Sequence, residues 1–306
     1  MPLFQNHVGI NLTETKLQLV EISYKQNNFY LENVDQLVFK EPVLADIQDE
    51  KLINILQDSF SKIINKKTIT SNSISFTLPN NFFRVFEVPY DNALTKKDLI
   101  EQLRWEISIL FPMYDSNEFH IQYVEVNKSS VRPEDKLIVF ALSKRIVGAI
   151  NKFCKENKFE LKFVDNAHLA SNAFLHLDRE LEKEDITLSF YIDQHHSSLA
   201  VFEGLSPFYF KIFNKNGSDF FEQLEGAIDK LATFNVNREN IKKATLSGQT
   251  VTGDFTDNIS RVLGLTLIKI NPFEKLFAED EVKSNPLYLS QYNSFTAATG
   301  IAIRII

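Results

Sequence analysis

Runs of alternating apolar and polar residues open both halves of the chain. The first half begins with VGINL, KLQLVEI and NFYLENVDQLVF, and the second half begins with ITLSFYID, SSLAVFE and PFYFKIF. A period of two residues is typical of β-strands that bury one face. Short polar turns separate the runs, so the pattern predicts three antiparallel strands at the start of each half.

Segments with helical spacing of apolar residues follow each set of strands. Helices are predicted over DEKLINILQDSFSKIINKK, residues 94–112, 144–157 and 166–178, GSDFFEQLEGAIDKLATF and DFTDNISRVLG. Thr95 is the expected N-cap of helix 94–112, and Pro112 follows its end. Further strands are predicted over SISFTLP, FFRVFEVP, EFHIQYVEV, KLIVFALS, residues 160–165, KATLSG and LTLIKI. The alternation of strands and helices predicts an α/β protein with a duplicated architecture.

Composition narrows the class of protein. The 306 residues include 27 Phe, 9 Gly and 9 Pro, which predicts a core filled by Phe with little loop. A net charge of −7 gives no general attraction to nucleic acid or anionic lipid. The single cysteine, Cys154, rules out an internal disulfide framework and reads as an ordinary helix residue. No signal peptide and no membrane span is recognisable, so we expect a soluble, cytoplasmic protein.

Several single residues invite a chemical interpretation, and each also has a plainer one. His195-His196 could suggest a metal or acid/base site, but no third ligand lies at a recognisable spacing, which favours a solvated turn. His168 could face a cleft or simply begin a helix. Trp105 lies off the apolar row of its helix and could pack on a neighbouring lobe or receive a partner. The closing FTAATGIAIRII is predicted to form a buried helix, in which small residues such as Gly300 allow close packing.

The order of several short motifs resembles a known family. VGINLTETKLQLVEI, LIEQLRWEISILFP, KLIVFALSKRIVGAINKFCKENKFELKFVDNAHLASNAFL, and LSGQ followed by LGLTLIKINPF occur in that order. Arg104, Trp105, Glu106 and Pro112 carry the most weight. Together these motifs resemble the PilM family, the actin-like proteins of the bacterial type IV pilus platform, and more distantly the cell-division protein FtsA. The resemblance covers nearly the whole chain.

The resemblance implies a two-lobed actin-like ATPase fold, a duplicated ribonuclease H-like architecture with a small subdomain inserted in the first lobe. The first lobe is predicted over residues 1–89 and 146–180, the inserted subdomain over 90–145, and the second lobe over 181–306. The charged segment RELEKED, residues 179–185, marks the expected lobe boundary.

In an actin-type site, the resemblance implies two β-turns whose backbone N–H groups face the phosphates of ATP. An Asp beside each turn helps to hold Mg²⁺, and a third, Gly-rich turn lies against the adenosine. In the first turn Asn11 stands in place of the family's Asp and Thr13 in place of its Gly. Glu14 adds a negative charge there, and Gln18 stands where the family usually has Lys.

The second turn, FYIDQHHSSLAVF, aligns with the family in two ways. With a gap, Asp193 is the metal-side Asp and His195 replaces Gly. Without a gap, Tyr191 replaces the Asp and Asp193 replaces the Gly. The third turn has Gln249 where a second Gly is expected. The predicted vestigial nucleotide cleft comprises Asn11, Thr13, Thr15, Asp193, Gln194, Ser197, Gly248 and Gln249.

Residues that differ from those of the family in all three turns favour a degenerate scaffold that binds other proteins. We expect no catalytic residue, no metal ligand and no efficient ATP hydrolysis. The resemblance implies a protein partner, such as the cytoplasmic N-terminal peptide of a membrane protein, in a pilus, secretion or envelope assembly. Two alternatives stay open: weak binding or slow hydrolysis of ATP with Mg²⁺, and formation of actin-like filaments.

Overall fold

The first sheet of the protein collects strands from both ends of the chain. The computed structural model describes residues 6–177, 181–249 and 253–303. The strands and helices of the first half around this sheet are β1 (His7–Leu12), β2 (Lys16–Lys25), β3 (Asn28–Val38), α1 (Asp49–Ile64), β4 (Ser73–Leu78), α3 (Lys144–Glu156), β8 (Glu160–Asn166) and α4 (Ala167–Ser171). With β14 (Phe277–Ala278), the sheet order is β14-β3-β2-β1-β4-β8. Phenylalanines fill the core beside it: the rings of Phe60 and Phe76 each lie edge-on to Phe153, at centroid distances of 5.5 and 6.1 Å.

The second sheet repeats the strand order of the first. Its elements are β9 (Ile186–Ile192), β10 (His196–Glu203), β11 (Ser206–Asn214), α5 (Phe220–Ala232), β12 (Ile241–Gly248), α6 (Gly253–Leu263) and β13 (Ile268–Lys269), in the order β11-β10-β9-β12-β13. Leu12 pairs with Leu17 in the first sheet, and Ile192 pairs with Ser197 in the second. The hairpins β1–β2 and β9–β10 therefore match at a constant offset of 180 residues, which confirms the predicted duplication.

A small third sheet follows β4 along the chain. It consists of β5 (Phe83–Pro89), β6 (Phe119–Val126) and β7 (Lys136–Ser143) in the order β5-β7-β6, and it carries α2 (Lys96–Leu110). Thr95 accepts a hydrogen bond from the Asp98 N–H and caps α2, as predicted. The predicted subdomain boundaries stay a prediction, but β5 pairs along its length with β7, so the third sheet begins at Phe83.

The last described segment of the chain returns to the first sheet. Its helices are α7 (Asp280–Lys283), α8 (Pro286–Ser290) and α9 (Thr296–Ala302). A Cβ added to Gly9 of β1 would meet the carbonyl oxygen of Ala298 at 2.0 Å, and one added to Gly300 would meet that of Ala170 at 1.9 Å. The closing helix is buried and packs closely through small residues, as predicted. Residues assigned to the second lobe from sequence thus pack on the sheet of the first.

Two predicted elements differ from the structure. Helix 166–178 is interrupted: α4 ends at Ser171, and a 3₁₀ helix, Ala173–Leu177, follows it. LTLIKI contributes only the two residues of β13, which pair with Thr245 and Leu246 of β12. Residue 178 of the predicted helix 166–178, residues 179 and 180 of the predicted lobe boundary, and residues 304–306 of the closing helix lie outside the described residues. Within the described chain, no helix is both long and apolar enough to cross a membrane.

Candidate functional site

The first predicted phosphate turn, between β1 and β2, is closed by its own side chain. The Thr13 N–H donates to the carbonyl oxygen of Lys16 at 2.9 Å. The Thr13 hydroxyl donates to that same oxygen at 3.0 Å and accepts from the N–H groups of Thr15 and Lys16 at 3.2 and 3.0 Å. The backbone N–H groups of Thr13, Thr15 and Lys16 are therefore already bonded within the turn.

Glu14, in the same turn, is buried at the junction of the two halves. Its side chain is 2% exposed, and one carboxylate oxygen accepts from Asn81 at 2.7 Å. The other carboxylate oxygen lies 3.4 Å from Nε2 of His195, and Nδ1 of His196 lies 4.0 Å from the carboxylate. A buried carboxylate here repels an incoming phosphate. His195 and His196 face Glu14, and their side chains are 52% and 30% exposed, in line with the solvated turn expected from the sequence.

The second predicted phosphate turn has the same backbone closure as the first. The Asp193 N–H donates to the carbonyl oxygen of His196 at 2.8 Å, as Thr13 does to Lys16. The offset of 180 residues makes Asp193 the counterpart of Thr13 and Tyr191 the counterpart of Asn11. Of the two alignments left open by the sequence, the hairpin geometry matches the one without a gap.

Asp193 is a buried carboxyl group with a strongly shifted pKa. Burial, with the nearby charge of Glu14, raises the pKa of Asp193 to about 7. A hydrogen bond from the Gln194 N–H and the charges of Lys16 and Lys215 act in the opposite direction without cancelling the shift. Burial also lowers the pKa of Lys16, so its positive charge is itself disfavoured.

The third predicted turn lies against the second. Gly248 at the end of β12 has φ +104°, and a Cβ there would meet the carbonyl oxygen of Ile192 at 2.2 Å. The N–H of the next residue, Gln249, donates to that oxygen at 2.6 Å. Gly248 is therefore required by close backbone packing. Gln249 and Ser197 are both buried, and Gln194 lies at the tip of the second turn.

Asn11 and Gln18 belong to a buried chain of amide and hydroxyl groups. Asn11 donates to the Gln18 side chain at 3.0 Å and accepts from the Thr77 hydroxyl at 2.9 Å. Gln18 donates to the Ser294 hydroxyl at 2.9 Å, next to α9. Burial and the Asp193 charge raise the pKa of Tyr191 well above its usual value, and the neighbouring Asn11 side chain acts the other way. The Tyr191 hydroxyl makes no hydrogen bond within the described residues. The counterpart residues Asn11 and Tyr191 of the two halves thus lie close together.

His168 at the start of α4 ties the two sheets together. Its Nδ1 lies 2.7 Å from the Ser198 hydroxyl and its Nε2 lies 3.1 Å from the Ser189 hydroxyl. Burial lowers the pKa of His168 to about 3, so the ring is neutral. The ring also stacks on Tyr191 at a centroid distance of 5.6 Å. His168 faces the cleft, and both of its ring nitrogens are occupied.

Two asparagines of this network were not identified from sequence. Asn80 donates to the Ser198 hydroxyl at 2.8 Å and accepts from Asn166 at 2.9 Å, while Asn81 binds Glu14. Both follow β4, whose parallel pairing with β1 brings the carboxyl ends of the two strands to one edge. Polar residues directly after a buried strand were the signal that could have identified them.

These residues do not fit ATP with Mg²⁺. A phosphate needs free backbone donors, but the N–H groups of Thr13, Thr15 and Lys16 are bonded within their turn. A hydrated Mg²⁺ is held by ionised oxygen ligands, and the side chain at the first predicted Mg²⁺ position, Asn11, is uncharged. The described residues contain no group of three His, Cys, Asp or Glu side chains placed to hold a metal ion.

An open groove lies elsewhere, between α1 and α3 of the first lobe and the small sheet. Its volume is about 680 Å³. We call it the Arg84–Arg145 groove; its lining residues are Ala45, Asp46, Gln48, Asp49, Phe82, Arg84, Tyr114, Glu118, Phe119, Ser143, Arg145 and Ile146. Arg84 donates to the Tyr114 hydroxyl at 2.7 Å and lies over its ring at 4.7 Å. Arg145 donates to Asp49 and to the carbonyl oxygens of Ala45 and Ile47.

Comparison with solved structures identifies the fold. The chain is similar to one from the PilM-PilN type IV pilus biogenesis complex, with a TM-score of 0.69 and 16% identity over 98% of both chains. It is also similar to a Bacteroides thetaiotaomicron protein with actin-like ATPase fold and unknown function, with a TM-score of 0.54 and 13% identity over 88% of this chain and 91% of that one. No protein-family model and no curated protein matches the sequence. The chain therefore has the two-lobed actin-like ATPase fold, as predicted, in a form similar to that of the PilM-PilN chain.

Proposed function

We propose that this protein is a scaffold without efficient ATP hydrolysis, which binds a peptide segment of a partner protein in the Arg84–Arg145 groove. The partner is the cytoplasmic N-terminal segment of a membrane protein in a pilus, secretion or envelope assembly. The protein itself is cytoplasmic and reaches the membrane through this partner. Support for the kind of assembly comes from the fold shared with a chain of the PilM-PilN complex.

The observation that carries the loss of ATP hydrolysis is the internal bonding of the first turn. The Thr13 hydroxyl occupies the Thr15 and Lys16 N–H groups, and Glu14 fills the adjoining space with a buried carboxylate. Nucleotide would have to displace these bonds and overcome the repulsion of Glu14. His168 forms hydrogen bonds with serines of β9 and β10 and so connects the two halves directly.

The chemistry of the Arg84–Arg145 groove supports a peptide ligand. Phe82, Phe119 and Ile146 are buried side chains that line it, and they can contact an apolar anchor residue. The guanidinium groups of Arg84 and Arg145 can bind backbone carbonyls or carboxylates of the peptide. An apolar pocket with a few orienting polar groups is the usual form of such sites.

Calorimetric titration with ATP and with ADP, each with and without Mg²⁺, tests the first half of the proposal. We expect no saturable heat up to about 1 mM nucleotide, which corresponds to a binding free energy weaker than about −4 kcal/mol. Saturable binding at micromolar nucleotide would overturn the claim that the turns are closed. The ATP-binding alternative would then hold, and the titration of Asp193→Ala would show whether that carboxyl group takes part.

Site-specific photo-crosslinking in the native cell tests the second half. A photoreactive phenylalanine analogue placed at Tyr114, which lines the groove, should crosslink to one segment of a membrane protein. The same analogue at Leu289, which is 63% exposed on α8, is the matched control and should not capture that segment. Equal capture from both positions, or capture unaffected by Arg84→Ala, would contradict binding in the groove.

A further inference from the structure

Helix α3 exposes a row of lysines on the side opposite to its core contacts. Its apolar side chains, Ile150 and Phe153 among them, are buried. The spacing of Lys144, Lys152 and Lys155 places all three on the opposite face of the helix. We call this surface, with the lysine just past the end of the helix, the α3 basic face; its exposed residues are Lys144, Gly148, Lys152, Lys155 and Lys158.

The lysines of the α3 basic face have no acidic partner. None of them forms an ion pair with another of the described residues, whereas acidic residues of the neighbouring elements are already paired. Asp49 of α1 is bound to Arg145, and Glu160 of β8 is bound to Lys162. The face therefore keeps an excess of positive charge.

Three further acidic residues near α3 do not neutralise this charge. Glu156 is the one acidic residue of α3 itself, and it forms no ion pair with Lys152, four residues earlier, in the part of the chain that the structure describes. Glu50 and Asp58 of α1 line a groove beside the end of β3. Asp58 is also bound to Lys62.

Lys144 lies where the helix itself disfavours a positive charge. It is the first residue of α3, whose first turn has no acidic residue. The N-terminus of a helix carries a partial positive charge, so an unpaired lysine there is unfavourable. Burial, together with the charge of Lys144, lowers the pKa of His120 on β6. A residue that breaks a local rule without compensation indicates a role outside the fold.

The matching helices of the second lobe carry the opposite charge. α3 leads into β8, which pairs in parallel with β4, and α6 leads into β13, which pairs in parallel with β12. Four basic residues and one acidic residue lie on α3, whereas acidic residues outnumber basic ones on α5 and α6. The exposed acidic residues of α5 and α6 are Glu222, Glu225, Asp229, Asp254 and Asp257. The net charge of −7 is thus unevenly distributed, and α3 has a positive surface that its counterpart lacks.

We propose that the α3 basic face binds the headgroups of an anionic lipid bilayer, as a second membrane contact beside the partner protein. This inference rests on the proposed function, because it takes the Arg84–Arg145 groove to bind a segment of a membrane protein. The groove and the face meet at the start of α3, where Ser143 and Arg145 line the groove on either side of Lys144 in the sequence. A membrane reached through a partner in the groove therefore lies close to this face.

A lipid surface fits the face better than a nucleic acid does. Lysine is a compact point charge, which suits the diffuse negative field of a bilayer. Surfaces that bind nucleic acid add aromatic side chains for stacking or arginines for base edges, and the face contains neither. Nothing lies within 4 Å of a Cβ built on Gly148, so no side chain protrudes from the middle of the face.

The expected affinity is low, as suits one of two contacts. Each lysine beside an anionic bilayer strengthens the association about fivefold. Four lysines therefore give half-maximal binding at about 1 mM accessible lipid. Stable attachment to a membrane generally takes two such signals, and the partner protein supplies the other.

Sedimentation of the purified protein with lipid vesicles is the experiment. The vesicles contain equal parts of phosphatidylglycerol and phosphatidylcholine, at up to about 5 mM accessible lipid, which exceeds the expected midpoint. We expect saturable binding at low salt and no binding to phosphatidylcholine alone. Binding should be lost at about 1 M salt, where the screening length falls to about 3 Å.

Two double variants separate the face from the total charge of the protein. Lys152→Gln/Lys155→Gln removes two charges from the face and should weaken the association about thirtyfold. Lys269→Gln/Lys283→Gln removes two exposed lysines elsewhere, so it changes the net charge equally and should leave vesicle binding within about twofold of the wild type. Circular dichroism and thermal melts establish that both variants remain folded.

Several results would overturn the inference. The wild type could fail to bind the phosphatidylglycerol vesicles, Lys152→Gln/Lys155→Gln could bind as well as the wild type, or both double variants could lose binding equally. Binding of duplex DNA without vesicle binding, lost in the face variant, would assign the face to nucleic acid.

The vesicle experiment uses no partner protein, so its outcome is distinct from that of the groove. Vesicle binding without photo-crosslinking from Tyr114 would support the α3 basic face and reject the groove as the peptide site. Photo-crosslinking from Tyr114 without vesicle binding would reject only the lipid contact.

Discussion

The two hairpins β1–β2 and β9–β10 have the same backbone geometry and opposite chemistry. Thr13 and Asp193 occupy matching positions, and their N–H groups close the two turns at 2.9 and 2.8 Å. In the first turn the Thr13 hydroxyl makes its hydrogen bonds to backbone atoms of the turn itself. The second turn instead has the buried carboxyl group of Asp193, with a pKa of about 7. The strand ladders determine the backbone of a duplicated fold, so the turn residues can change without altering it.

The surroundings of the matching strands differ as well. Gly9 of β1 allows the backbone of α9 to approach, while its counterpart Ser189 of β9 binds His168. The backbone of α9 thus packs directly on the backbone of β1, whereas β9 is covered by a network of polar side chains. Four substitutions separate these contributions.

The largest expected effect concerns Asp193. Its pKa is 3.8 in the unfolded chain and about 7 in the folded protein, so the folded state holds its proton more tightly. The stabilisation is fully present below pH 3.8 and is lost as the pH rises through about 7, a change of at most about 4 kcal/mol. Asp193→Asn should remove this loss, so the variant should be more stable than the wild type at pH 8 and similar at pH 4.

Urea unfolding between pH 4 and pH 8 measures the Asp193 contribution as the difference between variant and wild type. The difference cancels the opposite trend of His168, whose pKa of about 3 destabilises the folded state as the pH falls below 6.5. Asp229→Asn, at an exposed position, is the control substitution. A difference between Asp193→Asn and wild type that does not change with pH would show that Asp193 is solvated.

The second substitution changes the strand contact. Gly9→Ala adds a Cβ 2.0 Å from the Ala298 carbonyl oxygen, and backbone on both sides prevents relaxation. We expect a loss of about 3 kcal/mol in the free energy of unfolding. Gly148→Ala is the matched control, because nothing lies within 4 Å of a Cβ there and alanine favours α3 by about 0.5–1 kcal/mol. Thermal and urea unfolding compare the two; equal effects would mean that α9 does not pack on β1 this closely.

These contacts show how far the sequence could predict the structure. Alternation and helical spacing predicted the duplicated sheets, and the small residues of FTAATGIAIRII predicted a closely packed helix. The strand on which that helix packs is determined by a contact between Gly9 and Ala298. These residues are nearly 290 positions apart, so no local sequence pattern reveals the contact. The same holds for Glu14 and its partner Asn81, so the sequence identified a charge in the turn but not its burial.

The second turn was ambiguous for a different reason. Its sequence fits the family with or without a gap, and only the pairing of Ile192 with Ser197 distinguishes the two alignments. Pairing partners in a sheet depend on neighbouring strands as well as on the turn itself. Local sequence therefore restricted the alignment to two alternatives without choosing between them.

The third substitution tests the first turn. Thr13→Val keeps the shape of the side chain but removes the hydroxyl that accepts from Thr15 and Lys16 and donates to the Lys16 carbonyl. The Lys16 carbonyl keeps its bond from the Thr13 N–H, but the partly buried N–H groups of Thr15 and Lys16 lose their acceptor, which should cost about 2 kcal/mol in urea unfolding. Thr15→Val, whose hydroxyl makes none of these bonds, should cost less than about 0.5 kcal/mol. Equal losses would mean that the hydroxyl does not hold the turn.

The smallest expected effect joins the two turns. The negative charge of Glu14 contributes to the raised pKa of Asp193, after burial, and Glu14→Gln removes that charge while its amide oxygen can still accept from Asn81. The pH at which Asp193 loses its proton should therefore fall by less than about one unit, which is about 1 kcal/mol or less. The measurement is the effect of Asp193→Asn on the free energy of unfolding as a function of pH. This effect is determined once in the Glu14→Gln protein and once in the wild type, and the two pH profiles are compared. Because burial persists in the variant, the midpoint should stay well above 3.8. An unchanged midpoint would mean that the charge of Glu14 does not influence Asp193. The two turns would then share their backbone geometry without an electrostatic interaction between them.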